Sequence, residues 1–155
     1  MRIMALLGFT ALAACGSDQK TTTVGGTTYT ASKNSETATI ESAKGKVSVA
    51  GGASAANTAM PAFAPQYPGS TITSRIESER EGRKSLIVAQ TTSASVSEVA
   101  GFYRSALQNA GFKVDKGTVM DTGAMFSGEG ADEKVSLTVA REEQITTAIV
   151  AIKQR

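Results

Sequence analysis

The spacing of apolar residues changes several times along this chain, and each change marks an element. An apolar run, Ile3–Ala14, comes first. Polar residues then hold the chain from Gly16 to Thr23. Thr21–Val24 and Thr27–Thr30 flank Gly25-Gly26, which predicts a short hairpin with little to bury. A stronger alternation follows. Ala38 and Ile40 interleave with Thr37, Thr39 and Glu41, and Val47 and Val49 with Lys46 and Ser48. This period of two predicts a β-hairpin over 37–50. A two-residue loop at Lys44-Gly45 would set Ile40 opposite Val49 and Ser42 opposite Val47, all on one face. Gly51–Ala59 reads as linker. Pro61, Pro65 and Pro68 then stiffen an extended approach, with Phe63 and Tyr67 as its anchors.

Beyond the prolines the pattern becomes denser. Tyr67-Pro68-Gly69-Ser70 reads as a turn into a strand, Thr71–Ser78, in which Ile72 and Ile76 share a face. Glu79–Arg83 is a charged turn. Lys84–Thr91 contains Leu86-Ile87-Val88-Ala89 and reads as a central strand. Ser95-Val96-Ser97-Glu98 fits a capping box. Val99, Phe102, Tyr103, Ala106, Leu107 and Ala110 then recur at helical spacing. Gly111 stands where a helix C-cap is expected, and Phe112 should fold back on the helix. Strands follow over Phe112–Val119, Gly123–Ser127, Lys134–Ala140 and Thr146–Ile152, with Gly128–Asp132 and Arg141–Gln144 as turns. Val135, Leu137, Val139, Ala148, Val150 and Ile152 point inward.

Strands, one helix and more strands predict an α+β fold, a small antiparallel sheet with one main helix packed on one face. The expected organisation is a leader over 1–14, a tether with the 37–50 hairpin over 15–65, and an α+β domain over 66–155.

Leu12-Ala13-Ala14-Cys15, closing the leading apolar run behind the single positive charge of Arg2, resembles the lipobox of bacterial lipoproteins. The run is too short to span a membrane as a helix. The resemblance implies cleavage between Ala14 and Cys15, lipid on Cys15, and a membrane partner held through that lipid. In Gram-negative lipoproteins an Asp at the position of Gly16 implies inner-membrane retention, so in such a cell the resemblance implies the periplasmic side of the outer membrane. The Tyr-Pro-Gly turn, the Phe-Tyr helix and the Ala-Gly-Phe helix end resemble small exported lipoproteins of unknown function. That resemblance transfers no catalytic residue.

Composition removes several chemistries. The chain has 155 residues, no His and one Cys, so neither an imidazole base nor an intrachain disulfide is available. From Gln66 onward, eleven basic residues balance eleven acidic ones. With no Trp and few aromatics, nothing selects nucleic acid as a partner. Neither a phosphate loop nor a dinucleotide fingerprint occurs. Glu77, Glu79 and Glu81 would share a face on a continuing strand and could meet a divalent cation. Interleaved with Arg75, Arg80 and Arg83, they read instead as a solvated face. Gly128–Glu133 lacks calcium-loop spacing and reads as a turn. Tyr103 reads as a core ring with its hydroxyl at the rim.

No catalytic residue, cofactor or metal is therefore expected. The sequence points to a non-enzymatic envelope protein, a binding or structural module with a possible envelope protein partner. The competing expectation is a carrier of a small apolar ligand between helix and sheet.

Overall fold

A computed structural model describes residues 19–34 and 36–155. The expected lipobox, Cys15 included, lies outside the described residues. Eleven strands form one antiparallel sheet. They are β1 (Gln19–Val24), β2 (Thr27–Ser32), β3 (Thr37–Ser42), β4 (Gly45–Gly51), β5 (Thr71–Arg80), β6 (Arg83–Thr92), β7 (Lys113–Val114), β8 (Thr118–Met120), β9 (Gly123–Glu129), β10 (Glu133–Glu142) and β11 (Ile145–Gln154). Their order is β1-β2-β3-β4-β5-β6-β11-β10-β9-β7, with β8 paired to β9. A short helix, α1 (Gly52–Ala56), and the main helix, α2 (Val96–Asn109), complete the described elements. The α+β class holds, but the sheet is larger than expected.

The extra strands come from the expected tether. Both N-terminal hairpins form, and β4 pairs with β5 along its whole length. Strands β1 to β4 thus extend the domain's sheet. The 37–50 hairpin closes at Ala43-Lys44 rather than Lys44-Gly45, setting Ile40 opposite Val47 and Val49 opposite Ala38. The slip is two residues, so the apolar positions still share a face. Gly45 is needed elsewhere. It sits at φ 146, and a Cβ there would collide with the Glu79 carbonyl oxygen on β5. The expected turn glycine instead allows close strand approach.

A second departure lies in β5. Its pairing with β6 shifts between Ile72 and Ser74. The extra residue of this bulge turns the strand over. Ile72 faces the helix side and is buried, whereas Ile76 lies opposite Ile87 on the other side.

The linker also folds. Ala55 of α1 packs with Ala50, Ile72 and Val88, and Met60 joins them. Phe63 stacks on Phe112 at 5.1 Å, and Tyr67 meets Phe102 edge-on at 5.2 Å. Both rings anchor the approach as expected.

The helix forms as its sequence dictates. Ser95 Oγ accepts from Glu98 N–H at 3.3 Å, and Ser95 N–H donates to Glu98 Oε2 at 2.8 Å. Gly111, at φ 84, ends the helix, and Phe112 N–H returns to the Leu107 carbonyl at 2.9 Å. Val99, Tyr103 and Leu107 meet Phe126, Leu137 and Val150 in the main core. The single strand expected over Phe112–Val119 breaks into β7 and β8, with Asp115 between them accepting from Ser127 N–H and Oγ–H at 3.1 and 2.6 Å.

Candidate functional site

On the helix-bearing face, Glu77 and Glu79 of β5 lie between inward residues of β4 and β6. Register places Glu77 between Ser48 and Leu86, and Glu79 between Lys46 and Lys84. Pro61 and Phe63 come in from the proline-rich segment, and Ile152 from β11. Together they border an open cleft of about 510 Å³. Pro61, Phe63, Leu86 and Ile152 give it apolar lining; Lys46, Glu77, Glu79, Lys84 and Glu133 give it charge. Its volume falls in the range of small-molecule sites, about 300–1,000 Å³.

The cation reading of the glutamates fails on geometry. β5 ends at Arg80, and Glu81 sits in the turn at φ 52. Glu77 is ion-paired with Arg75, and Glu81 lies 3.6 Å from Arg83. Among the described residues, no group of three or more acidic or cysteine side chains could hold a metal. The Gly128–Glu133 segment is a hairpin turn, with Gly130 N–H on the Glu133 carbonyl at 2.8 Å. Glu129 pairs with Lys134 and Arg155, which hold its carboxyl below the usual range.

Tyr103 departs from expectation at its hydroxyl, which is buried rather than at the rim. The residue is fully buried, and Gln90 Nε2, itself buried, donates to its oxygen. Gln90 Oε1 accepts from Tyr67 N–H at 3.0 Å and from Ser70 Oγ–H at 2.6 Å. This network ties the Tyr67–Ser70 turn to β6 and α2. Burial pushes the Tyr103 hydroxyl up to about 12, against the opposing bonds from Gln90 and the Tyr67 backbone. At neutral pH the group is a fixed neutral phenol.

Arg141 and Thr146 close the other end of the helix layer. Arg141 Nη1 donates to the Ala94 carbonyl at 2.7 Å and to Thr146 Oγ1 at 3.0 Å, while Thr146 Oγ–H donates to the same carbonyl at 2.5 Å. Both residues support the β6–α2 loop.

The space between α2 and the sheet is filled. Tyr103, Leu107, Phe126 and Val150 are each no more than 3% exposed. The cleft beside this packed layer gathers Lys46, Phe63, Lys84 and Glu133 from four separate segments. Only Phe63 carried a sequence signal, as an aromatic among prolines. No helix among the described residues is long and apolar enough to cross a membrane.

Residues 72–145 match the family model described as START domain-like. The matched span runs from β5 through α2 to the start of β11, a little under half of the chain. Over that span the chain is similar to START-like domains. Neither the curated proteins nor the solved structures contain a match.

Proposed function

We propose that this protein is a lipid-anchored, non-enzymatic binding module of the cell envelope that takes a small amphiphile in the cleft beside α2. The observation that carries the reading is the cleft's two-part lining. Pro61, Phe63, Leu86 and Ile152 suit an apolar tail, and the Lys46, Lys84 and glutamate rim suits a zwitterionic head. The START-like match over 72–145 supports ligand binding in general. It favours the carrier expectation, with the ligand beside the helix instead of beneath it, where side chains fill the space. The absence of His and the neutral Tyr103 support a binding role over proton-transfer chemistry.

The anchor and address rest on Leu12–Cys15 and Gly16. Cys15 would carry lipid after cleavage behind Ala14, and the domain would sit on the periplasmic side of the outer membrane. An envelope protein partner is compatible with this arrangement. The experiment is native mass spectrometry of the full chain extracted gently from envelopes. A retained amphiphile, lost in Ser48→Trp, supports the cleft. Retention undiminished by that cleft-filling change would place the ligand elsewhere.

A further inference from the structure

The sheet has a second face, opposite the helices, on which no described element packs. Register reads its composition strand by strand. From β3 across β4, β5, β6, β11 and β10 to β9, the side chains along the middle of this face are Ser, Thr, Gly, Ala, Val, Ile and Met, without a charge. Ile40, Val49, Ile87, Ile149 and Met125 lie here, 40–61% exposed apart from Ile87 at 37%. Val49, Ile76 and Ile87 form one continuous cross-strand row. Soluble domains seldom leave so much contiguous apolar surface without a use.

Across these seven strands charge returns only at the two ends, with opposite sign; outside them Lys20 of β1 also lies on this face. At the end where β5 turns into β6, Arg80, Arg83, Lys153 and Lys134 lie on this face, with Glu129 already held by Lys134 and Arg155. At the other end, the β10–β11 turn carries Glu142 and Glu143. An anionic membrane would attract the first end and repel the second. A surface of reversed polarity satisfies both.

We propose that this face binds a second copy of the chain, face to face and with strands antiparallel. A two-fold axis in the interface, running across the strands, lays each strand over its own counterpart in reverse. Glu142 and Glu143 then meet Lys134 and Lys153 of the second copy, and the uncharged middles meet each other. The contact is isologous and closes at two chains. Sheets stack in this manner about 10 Å apart, offset by about 30°. Seven strands about 4.8 Å apart, each contributing about six residues at about 3.4 Å, present roughly 700 Å². A standard stable interface buries about 800 Å² per partner. The proposal is independent of the cleft, which lies on the opposite face.

The test is photo-crosslinking of the full chain in intact producing cells. A benzophenone amino acid at Ile149 should give an adduct of twice the chain's mass. The same group at Asn109, exposed on α2, should not. Glu142→Lys with Glu143→Lys should cut the yield at least fivefold, and adding Lys153→Glu should restore much of it. Adducts only to lipid, or only to a different protein, would overturn the proposal. So would no adduct at Ile149, or a yield indifferent to the charge reversals.

Discussion

Gln90 and Tyr103, one on β6 and one on α2, bury their polar ends against each other beneath the Tyr67–Ser70 turn. Gln90 is the hub, because it alone reaches the helix hydroxyl, the turn backbone and Ser70. Tyr103→Phe leaves one Gln90 proton without a partner and should cost about 1–3 kcal/mol. Gln90→Leu strands Tyr67 N–H, frees Ser70 Oγ–H and takes one of two partners from the Tyr103 hydroxyl, and should cost more. The double variant should lose less than the sum of the two. Chemical denaturation of the four proteins measures this; strict additivity would mean the contact does not couple them.

Leu107 and Gln108 separate the buried and solvent faces of α2. Leu107 is 1% exposed, whereas Gln108 lies outside. Leu107→Ala should cost about 2–5 kcal/mol, and Gln108→Ala less than about 0.5. Thermal melts decide it, and equal shifts would remove α2 from the core.

Much of this was readable in the chain. The Ser95–Glu98 box and the Gly111 end are local signals, and each forms as read; of the helical stripe Val99, Tyr103 and Leu107 are buried, whereas Phe102 is half-buried and Ala110 exposed. Alternation in β10 and β11 likewise placed Val135, Leu137, Val150 and Ile152 in the core. Two features depend on neighbours distant in sequence. The bulge beyond Ile72 reverses the facing of Ile76 with no composition signal, and Gly45 is fixed by the approach of Glu79, not by a turn. The polar N-terminal strands looked like tether because they bury little; the backbone ladder that joins them to β5 through β4 is invisible to hydropathy. The cleft was not legible because, apart from the Glu77–Glu79 alternation, its charged walls come from separate strands, Lys46 and Glu133 far from the rest in sequence.

Gly117, between β7 and β8, stands at φ 53, and a Cβ there would overlap the Met125 carbonyl and Phe126. Gly117→Ala should therefore destabilise by more than the ~1 kcal/mol of a left-handed alanine alone. A melting point within a degree of wild type would show that the β9 backbone can yield.

Stability should fall at both pH extremes for different reasons. Ser95 hydrogen bonds lower the Glu98 carboxyl, Ser127 hydrogen bonds lower Asp115, and Lys134 and Arg155 lower Glu129. Their contribution is present above the ordinary carboxylate range and is lost as pH falls through the depressed folded values. Tyr103 is raised, so its contribution is full below about 10 and declines as pH climbs through about 12. Melts across pH should show Tyr103→Phe losing part of the alkaline decline and none of the acid one.

Cys15 carries the anchor reading. Metabolic labelling with a fatty acid should mark the wild type and leave Cys15→Ser unlabelled and uncleaved. Equal labelling of both would dismiss the lipobox.

The cleft is the centre of the proposed binding function. Its most direct test is a titration of the full chain with dodecylphosphocholine, kept below its micelle concentration and followed by native mass spectrometry. One bound molecule per chain is expected for the wild type and for Met125→Glu, which lies on the far face. Ser48→Trp should lower occupancy at least tenfold, and Lys46→Glu with Lys84→Glu should weaken it. Occupancy unchanged by Ser48→Trp, or no binding to the wild type at all, would contradict a cleft built for a small amphiphile.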